Sequence, residues 1–297
     1  MNAAVDSVFV RYKLKNDADT TLKEFKDSDF HLKLKLVHLD LLNKERKKLK
    51  LSALQLDILA SRIANQMCYE AATKRYVGHV NLKGLNPYQR YGLIGGKDHV
   101  SENISGYWTS SEIEVDSSSI VKSMQAYHKG FMDERAPNDL HKKNCIDKFH
   151  NYIGIGFYAG AKEFVYIEEF IDRAFVFESV PDTMKINESF VLKVRTQPGQ
   201  FISSTISYYD KLPKAITVEE AKKHTSYSDF TKSVVTTLYP WDMANYRKGE
   251  LYEIPLSYKK PGVYYIHLYR DFKEEKAKGD FTTEGKMIAS GIVIVVQ

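Results

Sequence analysis

The sequence predicts an α+β chain in two parts. A mixed helix-and-sheet unit covers residues 1–180, and an all-β sandwich covers residues 181–297. Three observations carry that expectation. Apolar residues recur at helical spacing through 56–71 and again through 117–133. Two β-rich arms, 152–158 and 163–171, flank a short Ala-Gly-Ala-Lys turn. Past Arg173 the chain breaks into short β-type runs punctuated by Pro and Gly, the pattern of a sandwich of roughly 100 residues. A length of 297 residues agrees with two domains.

Taken in order, Ser7–Leu14 alternates weakly and reads as a strand. His31–Val37 alternates again, with Leu32, Leu34 and Leu36 set against Lys33 and Lys35. A short helix follows over Leu39–Arg46. Ser52-Ala-Leu-Gln55 has the form of a capping box, in which the Ser hydroxyl accepts from the backbone three residues on and Gln55 reaches back. Leu56, Leu59, Ile63, Met67 and Ala71 then form one apolar stripe, a core face, until Gly78 stops it. Residues 84–96, with Pro87, read as loop. Ser117–Asp133 is a helix with Ile120, Val121, Met124 and Tyr127 on one side. In the hairpin that follows, Gly154 and Gly156 mark a place where something approaches the backbone closely. The sandwich runs are 190–194, 201–209, 234–239, 251–256, 262–269 and 288–296, interrupted by one helical insert at Val218–Lys223.

Composition narrows the function classes. Hydrophobic content of 43% and charged content of 27% are ordinary for a chain with a full core. The net charge of +5 is modest, and part of it lies in the run Lys44, Arg46, Lys47, Lys48 and Lys50. That run reads as a solvated helix face, so no nucleic-acid partner is expected. Cys68 and Cys145 are too few for a disulfide scaffold and read as buried free thiols, with a single bridge as the alternative. No stretch approaches the roughly 20 apolar residues of a membrane span, and the first residues lack the apolar core of a signal peptide.

The chemistry-bearing residues cluster around Tyr76–Ile104, which carries His79, a Gly-rich turn region and Glu102; downstream, His141 stands seven residues after Glu134. Two histidines and two carboxylates brought together would hold a divalent metal or move protons. His99, His128 and His150 read as surface or hydrogen-bonded histidines. Tyr76, Tyr88, Tyr91, Tyr107 and Tyr127 could line a groove or belong to the core. No Ser or Cys is paired with a histidine as an evident nucleophile, and no phosphate-binding Gly loop is present.

Several stretches, in order, resemble the CAP superfamily of cysteine-rich secretory, antigen-5 and pathogenesis-related proteins. Leu42-Asn-Lys-Glu-Arg46 looks like its opening helix. Leu54-Gln-Leu-Asp57-Ile-Leu59-Ala60, followed by Ala64, looks like its second. Gly78-His79 with Pro87 and Arg90 resembles a bacterial-type loop. Ser101-Glu102-Asn103-Ile104 matches the Gly-Glu-Asn-Ile signature with Ser for Gly. Leu140-His141-Lys-Lys-Asn-Cys-Ile146 resembles Gly-His-Arg-x-Asn-Ile-Leu, and Ile153-Gly-Ile-Gly156 resembles the strand after it. The likeness covers about residues 38–172, lacks the family's eukaryotic disulfides and leaves the sandwich outside.

The resemblance implies a CAP-like α/β/α sandwich, here followed by an immunoglobulin-like sandwich. It also implies a cavity of two histidines and two acids. His79, Glu102 and His141 carry over directly. Glu134 is the second acid because Phe131-Met-Asp-Glu134 resembles the family's Trp-x-x-Glu step, with Glu112 and Asp133 as alternatives. His79 and His141 are candidate zinc ligands, and two nitrogens without a third ligand make a weak, open site. The likeness implies a secreted, extracellular binding protein whose partner is a lipid, a sterol or another protein. A metal-dependent hydrolase of peptidase type, with Glu102 or Glu134 as general base, is the enzymatic alternative. Adhesion to a protein or glycan through the β-sandwich is the third reading.

Overall fold

The structure, a computed structural model, describes residues 3–227, 233–275 and 278–297. Two compact units emerge. The first comprises Met1–Pro87, Ser101–Ile171 and Ala215–Tyr227; the second comprises Tyr88–Val100, Asp172–Lys214 and Ser228–Gln297.

In chain order the elements are α1 (Ala3–Ala18), α2 (Asp29–Lys48), β1 (Gln55–Leu56), α3 (Ile58–Lys74), α4 (Pro87–Gly92), β2 (His99–Trp108), α5 (Ser117–Asp133), α6 (Leu140–Ile146), β3 (Tyr152–Ala159) and β4 (Glu163–Asp172). A four-stranded sheet in the order β1-β3-β4-β2 forms the middle layer of the first unit. Residues alternate across it, as the pleat of a strand requires. Phe164, Tyr166 and Phe170 of β4 join a core with Tyr12 of α1, Leu32, Leu39 and Leu42 of α2, and Ile120, Met124 and Phe131 of α5. Val165 and Ile167 face the other way, against Ala64, Met67, Cys68 and Ala71 of α3. The result is helix, sheet, helix.

Gly154 and Gly156 of β3 explain how closely α3 lies on the sheet. A Cβ at either position would come within 2.5 Å of Ala60 or Ala64 on that helix. The backbone approach foreseen from these two glycines is the seat of α3.

Several local expectations are overturned, among them the loop at 84–96, which holds α4. Ser7–Leu14 and His31–Val37 are helical, inside α1 and α2. The short-range alternation at 31–37 misleads because Lys35 belongs to the buried face of α2, where it is 0% exposed and paired with Asp27 at 2.8 Å. The capping box at Ser52 is not used. Gln55 and Leu56 pair with Tyr152 and Ile153, and the N-cap of α3 is Asp57, whose side chain accepts the Ala60 N–H. Arg46 also leaves the solvated set: it is buried and donates to the carbonyls of Ser52, Cys145, Asp147 and His150.

The second unit is built from β5 (Val176–Ser179), β6 (Thr183–Met184), β7 (Ser189–Arg195), β8 (Phe201–Asp210), β9 (Val234–Leu238), β10 (Arg247–Lys248), β11 (Leu251–Ser257), β12 (Gly262–Asp271), β13 (Met287–Ile288) and β14 (Ile292–Val296). One sheet runs β10-β11-β7-β5. The other runs β6-β14-β12-β8-β9, with β13 beside β12. Leu192, Val194, Tyr252 and Ile254 from the first sheet share one core with Ile202, Tyr264, Ile266, Ile292 and Ile294 from the second. The short helix α7 (Val218–Ala221), on the connection between β8 and β9, belongs to the first unit, while α8 (Pro240–Asn245) stays in the second.

Candidate functional site

His79 follows α3, which ends at Arg75 in a left-handed conformation, φ 58°. The segment 215–227 holds the Gly78-His79 step. His79 donates its backbone N–H to the His224 carbonyl at 2.9 Å, and a Cβ on Gly78 would sit 2.7 Å from the Ala221 oxygen, so that position demands glycine. Leu82 likewise accepts the Ile216 N–H at 3.0 Å.

Glu102 lies within β2, and its side chain is fully buried. It accepts from His79 Nδ1 at 2.8 Å. Its backbone N–H donates to the Tyr227 hydroxyl at 2.7 Å, and the Tyr227 ring lies 4.9 Å from the His79 ring. Tyr227 thus touches both members of this pair.

Glu134 closes α5 and reaches the start of α6. One carboxylate oxygen meets His141 Nδ1 at 2.5 Å, and the other accepts the backbone N–H groups of His141 and Lys142. It therefore orients the imidazole and caps the helix that carries it. Of the alternative acids, Asp133 pairs with Lys129 and Glu112 is exposed.

The two pairs come together, with the His79 and His141 ring centroids 6.2 Å apart. His79 and Glu102 form the buried side, while the His141 and Glu134 side chains are 30% and 24% exposed. In each histidine a carboxylate takes Nδ1, so Nε2 is the nitrogen a metal would meet. Asn103 locks the arrangement from behind. Its Nδ2 donates to the His141 carbonyl at 3.1 Å and to Glu168 at 3.0 Å, and its oxygen accepts from Asn144.

Glu168 leads to a second polar assembly that the sequence reading missed. It accepts from His128 Nδ1 at 2.6 Å and from the Tyr166 hydroxyl at 2.8 Å, and Tyr166 meets His38 Nε2 at 2.5 Å. His128 Nε2 lies 3.2 Å from Glu45. Burial pushes the His38 imidazole down to about 4. For His128 burial also opposes the charge, but the carboxylates of Glu168 and Glu45 outweigh it and the pKa rises. Glu168 sits low: burial would raise it, yet His128 and His38 prevail. Burial raises the Cys145 thiol well above its ordinary value, and Cys145 and Cys68 are both free and buried.

His128, Cys145 and Glu168 offer ligand atoms within 4.8 Å of one another and could hold a metal. The donor set argues for a hydrogen-bonded core instead. Asn103 Nδ2, a donor, lies 3.2 Å from Cys145 Sγ and 3.0 Å from Glu168, so it faces two of the three candidate ligands. A signal for this assembly did exist: three charged or imidazole side chains, His38, Glu45 and His128, at positions flanking core-forming residues of α2 and α5. Of the other histidines, His99 lies 3.4 Å from Asp172, and His150 stacks on Phe170 at 5.2 Å.

The helix–sheet–helix layering is the one the motif order implied. In fold, the first unit is CAP-like.

Solved structures to which part of this chain is similar include an outer surface protein of Borrelia burgdorferi (16% identity, 47% of this chain and 92% of that one, TM-score 0.36). An extracellular SCP-domain protein of Bacillus anthracis is similar at 20% identity over 46% of this chain and 39% of its own, TM-score 0.36. The CAP domain of enterococcal PrgA is similar at 18% identity over 45% and 58%, TM-score 0.33. The chain thus spans well under two thirds of the Bacillus protein. No family model and no curated protein matches the sequence. Among the described residues, no helix is long and apolar enough to cross a membrane.

Proposed function

We propose that the protein is a secreted, non-catalytic binding protein that recognises a partner at the CAP-like cavity. One observation carries this over hydrolysis: Glu102 and Glu134 each already hold the Nδ1 of a histidine. A hydrolase would need one of them as a general base toward water, and here both orient imidazoles. His79 and His141 would hold a divalent ion such as zinc through Nε2, and the ion would supply a positive Lewis-acidic point for a partner's carboxylate or carbonyl. Two protein nitrogens make that hold weak.

A protein partner fits better than a lipid or sterol. The tyrosines that could have lined an apolar groove are spent elsewhere: Tyr76, Tyr88 and Tyr91 are buried, and the partly buried Tyr107 and Tyr127 stack on Phe164 against the core. The test is a panel of sterols, fatty acids and phospholipids beside a peptide and ester hydrolysis panel, run with wild type and His79→Ala. Silence on both panels is expected. Chelator-sensitive hydrolysis lost in His79→Ala overturns the reading, and a bound lipid shifts it to lipid carriage.

A second reading rests on the strand order of the second unit. The sequences β5-β7-β11-β10 and β14-β12-β8-β9 follow the A-B-E-D and G-F-C-C′ orders of an immunoglobulin-like sandwich. On that reading the second unit forms an adhesion module for a protein or glycan. Partner binding that survives His79→Ala and Glu134→Ala, and is lost on substitution of exposed sandwich residues, would favour it.

A further inference from the structure

Helix α2 ends in a basic turn that takes no part in the cavity. The Lys50 N–H donates to the Lys47 carbonyl at 3.1 Å, and the Leu51 N–H to the Arg46 carbonyl at 2.9 Å, which makes a Schellman turn. Lys50 takes the left-handed position of that turn, φ 59°, where glycine is ordinarily favoured. Buried Arg46 ties the turn to the end of α6 through the carbonyls of Cys145, Asp147 and His150. Residues 47–50 and 146–149 therefore form one knuckle of the first unit.

The surface of the knuckle is basic. Lys47, Lys48, Lys50 and Lys148 are exposed, and among the described residues none of the four forms an ion pair. Other lysines of the same helices are neutralised: Lys44 by Asp40, Lys129 by Asp133 and Lys143 by Asp139. The acids close by in sequence are engaged, Asp147 by the Phe149 N–H at 2.8 Å and Glu45 by His128. Aliphatic side chains stand among the cations, with Leu49 49% and Ile146 37% exposed. Lys148 Nζ lies 4.9 Å from the ring centre of the half-buried Phe149.

Lysines at the end of a helix offset its dipole, and that accounts for Lys47 and Lys48. It does not account for Lys148, which is off the helix, for the bare Leu49 and Ile146, or for a lysine where glycine is less strained. Unpaired cations around exposed aliphatic side chains suit an anionic lipid surface. The ammonium groups meet the headgroups, and the aliphatic groups enter the boundary beneath them. A soluble polyanion would engage the lysines and gain nothing from Leu49 and Ile146. We propose that the knuckle of residues 47–50 and 146–149 docks the protein reversibly on an anionic lipid surface. The docking is independent of what the cavity binds.

The experiment is co-sedimentation of the full chain with vesicles of phosphatidylcholine alone and of phosphatidylcholine mixed with phosphatidylserine. Binding is expected to the mixed vesicles only, and to weaken as salt rises. Lys47→Gln, Lys50→Gln and Lys148→Gln together should weaken it about tenfold or more. Leu49→Ser with Ile146→Ser should weaken it several-fold. Lys50→Gly separates docking from folding. It relieves the left-handed turn, so thermal unfolding should come no earlier than in wild type, yet vesicle binding should fall about fivefold. Absence of binding to the mixed vesicles overturns the proposal, as does equal binding to both kinds or binding that the triple lysine variant leaves unchanged. Binding that follows the lysines but ignores Leu49→Ser with Ile146→Ser overturns it too, because the surface would then read charge alone.

Discussion

His79 and His141 each give Nδ1 to a single carboxylate at a cavity with one partly exposed side. His128 instead spans two carboxylates, and behind it Glu168, Tyr166 and His38 continue the chain of bonds into the core. The same residue types therefore serve opposite ends. Around His79 and His141, each ring is held at Nδ1 by a carboxylate, and the His141 pair is partly exposed. In the core, Glu168 ties His128, Tyr166 and Asn103 into one connected network, where low dielectric makes a satisfied bond stronger and an orphaned group costlier. The difference teaches that a histidine's neighbours beyond the first decide whether it is poised or fixed.

The comparison breaks first at Glu168. Glu168→Ala strands His128, Tyr166 and the Asn103 amide together, and should destabilise the protein by about 3–5 kcal/mol in denaturant unfolding. A loss near zero would mean that the core network is loose and no different from the cavity pairs.

His38 gives the next largest effect, and it depends on pH. Its folded pKa is about 4 because of burial, below the ordinary value near 6.5. Between those values the unfolded chain takes a proton that the folded chain refuses, so stability is whole above about pH 6.5 and falls as pH drops toward 4. The loss attributable to His38 is roughly 3 kcal/mol across that window. His38→Gln should flatten the profile there. Identical slopes for the two proteins would show that His38 takes its proton in place.

At the cavity the same kind of change should spare stability and cost function. Glu134→Gln keeps a hydrogen-bonding side chain at a partly exposed pair, so unfolding should shift by less than about 1 kcal/mol. Zinc affinity should drop about 10- to 100-fold as the ring of His141 loses its anionic partner. Equal losses at Glu134 and Glu168 would erase the distinction between poised and fixed histidines.

The smallest effect belongs to Tyr227→Phe, which removes one acceptor from the Glu102 N–H. The loss is about 1 kcal/mol, and exchange of that amide should quicken about fivefold. Unchanged exchange would reduce Tyr227 to a packing role.

How much of this was legible follows from where the partners lie. The cavity residues stand in short motifs, so His79, Glu102 and His141 could be carried over by resemblance, and Glu134 by a helix step. The core network joins His38, Glu45, His128, Tyr166 and Glu168 from three elements, with His38 and Tyr166 128 residues apart; no local pattern records that. Helix α2 shows the same limit in its fold. Leu32, Lys35, Leu39, Leu42 and Arg46 make one helical face, but two of the five are cations. An apolar-against-polar pattern hides a face whose charges are buried with partners. Tyr227 was invisible for a related reason: its segment read as an interruption of the sandwich, when its backbone groups are partnered by His79 and Leu82.

That segment sets an order of events on the ribosome. Tyr227 is made 125 residues after Glu102, a wait of roughly 6–25 s at ordinary elongation rates. Once His141 is also made, the nascent chain carries all four cavity side chains, while the backbone N–H groups of His79 and Glu102 still await their partners. The binding surface is finished only after translation has moved well into the following sheets. A message cut short between His141 and Tyr227 would release a chain with its histidines in place and one wall absent.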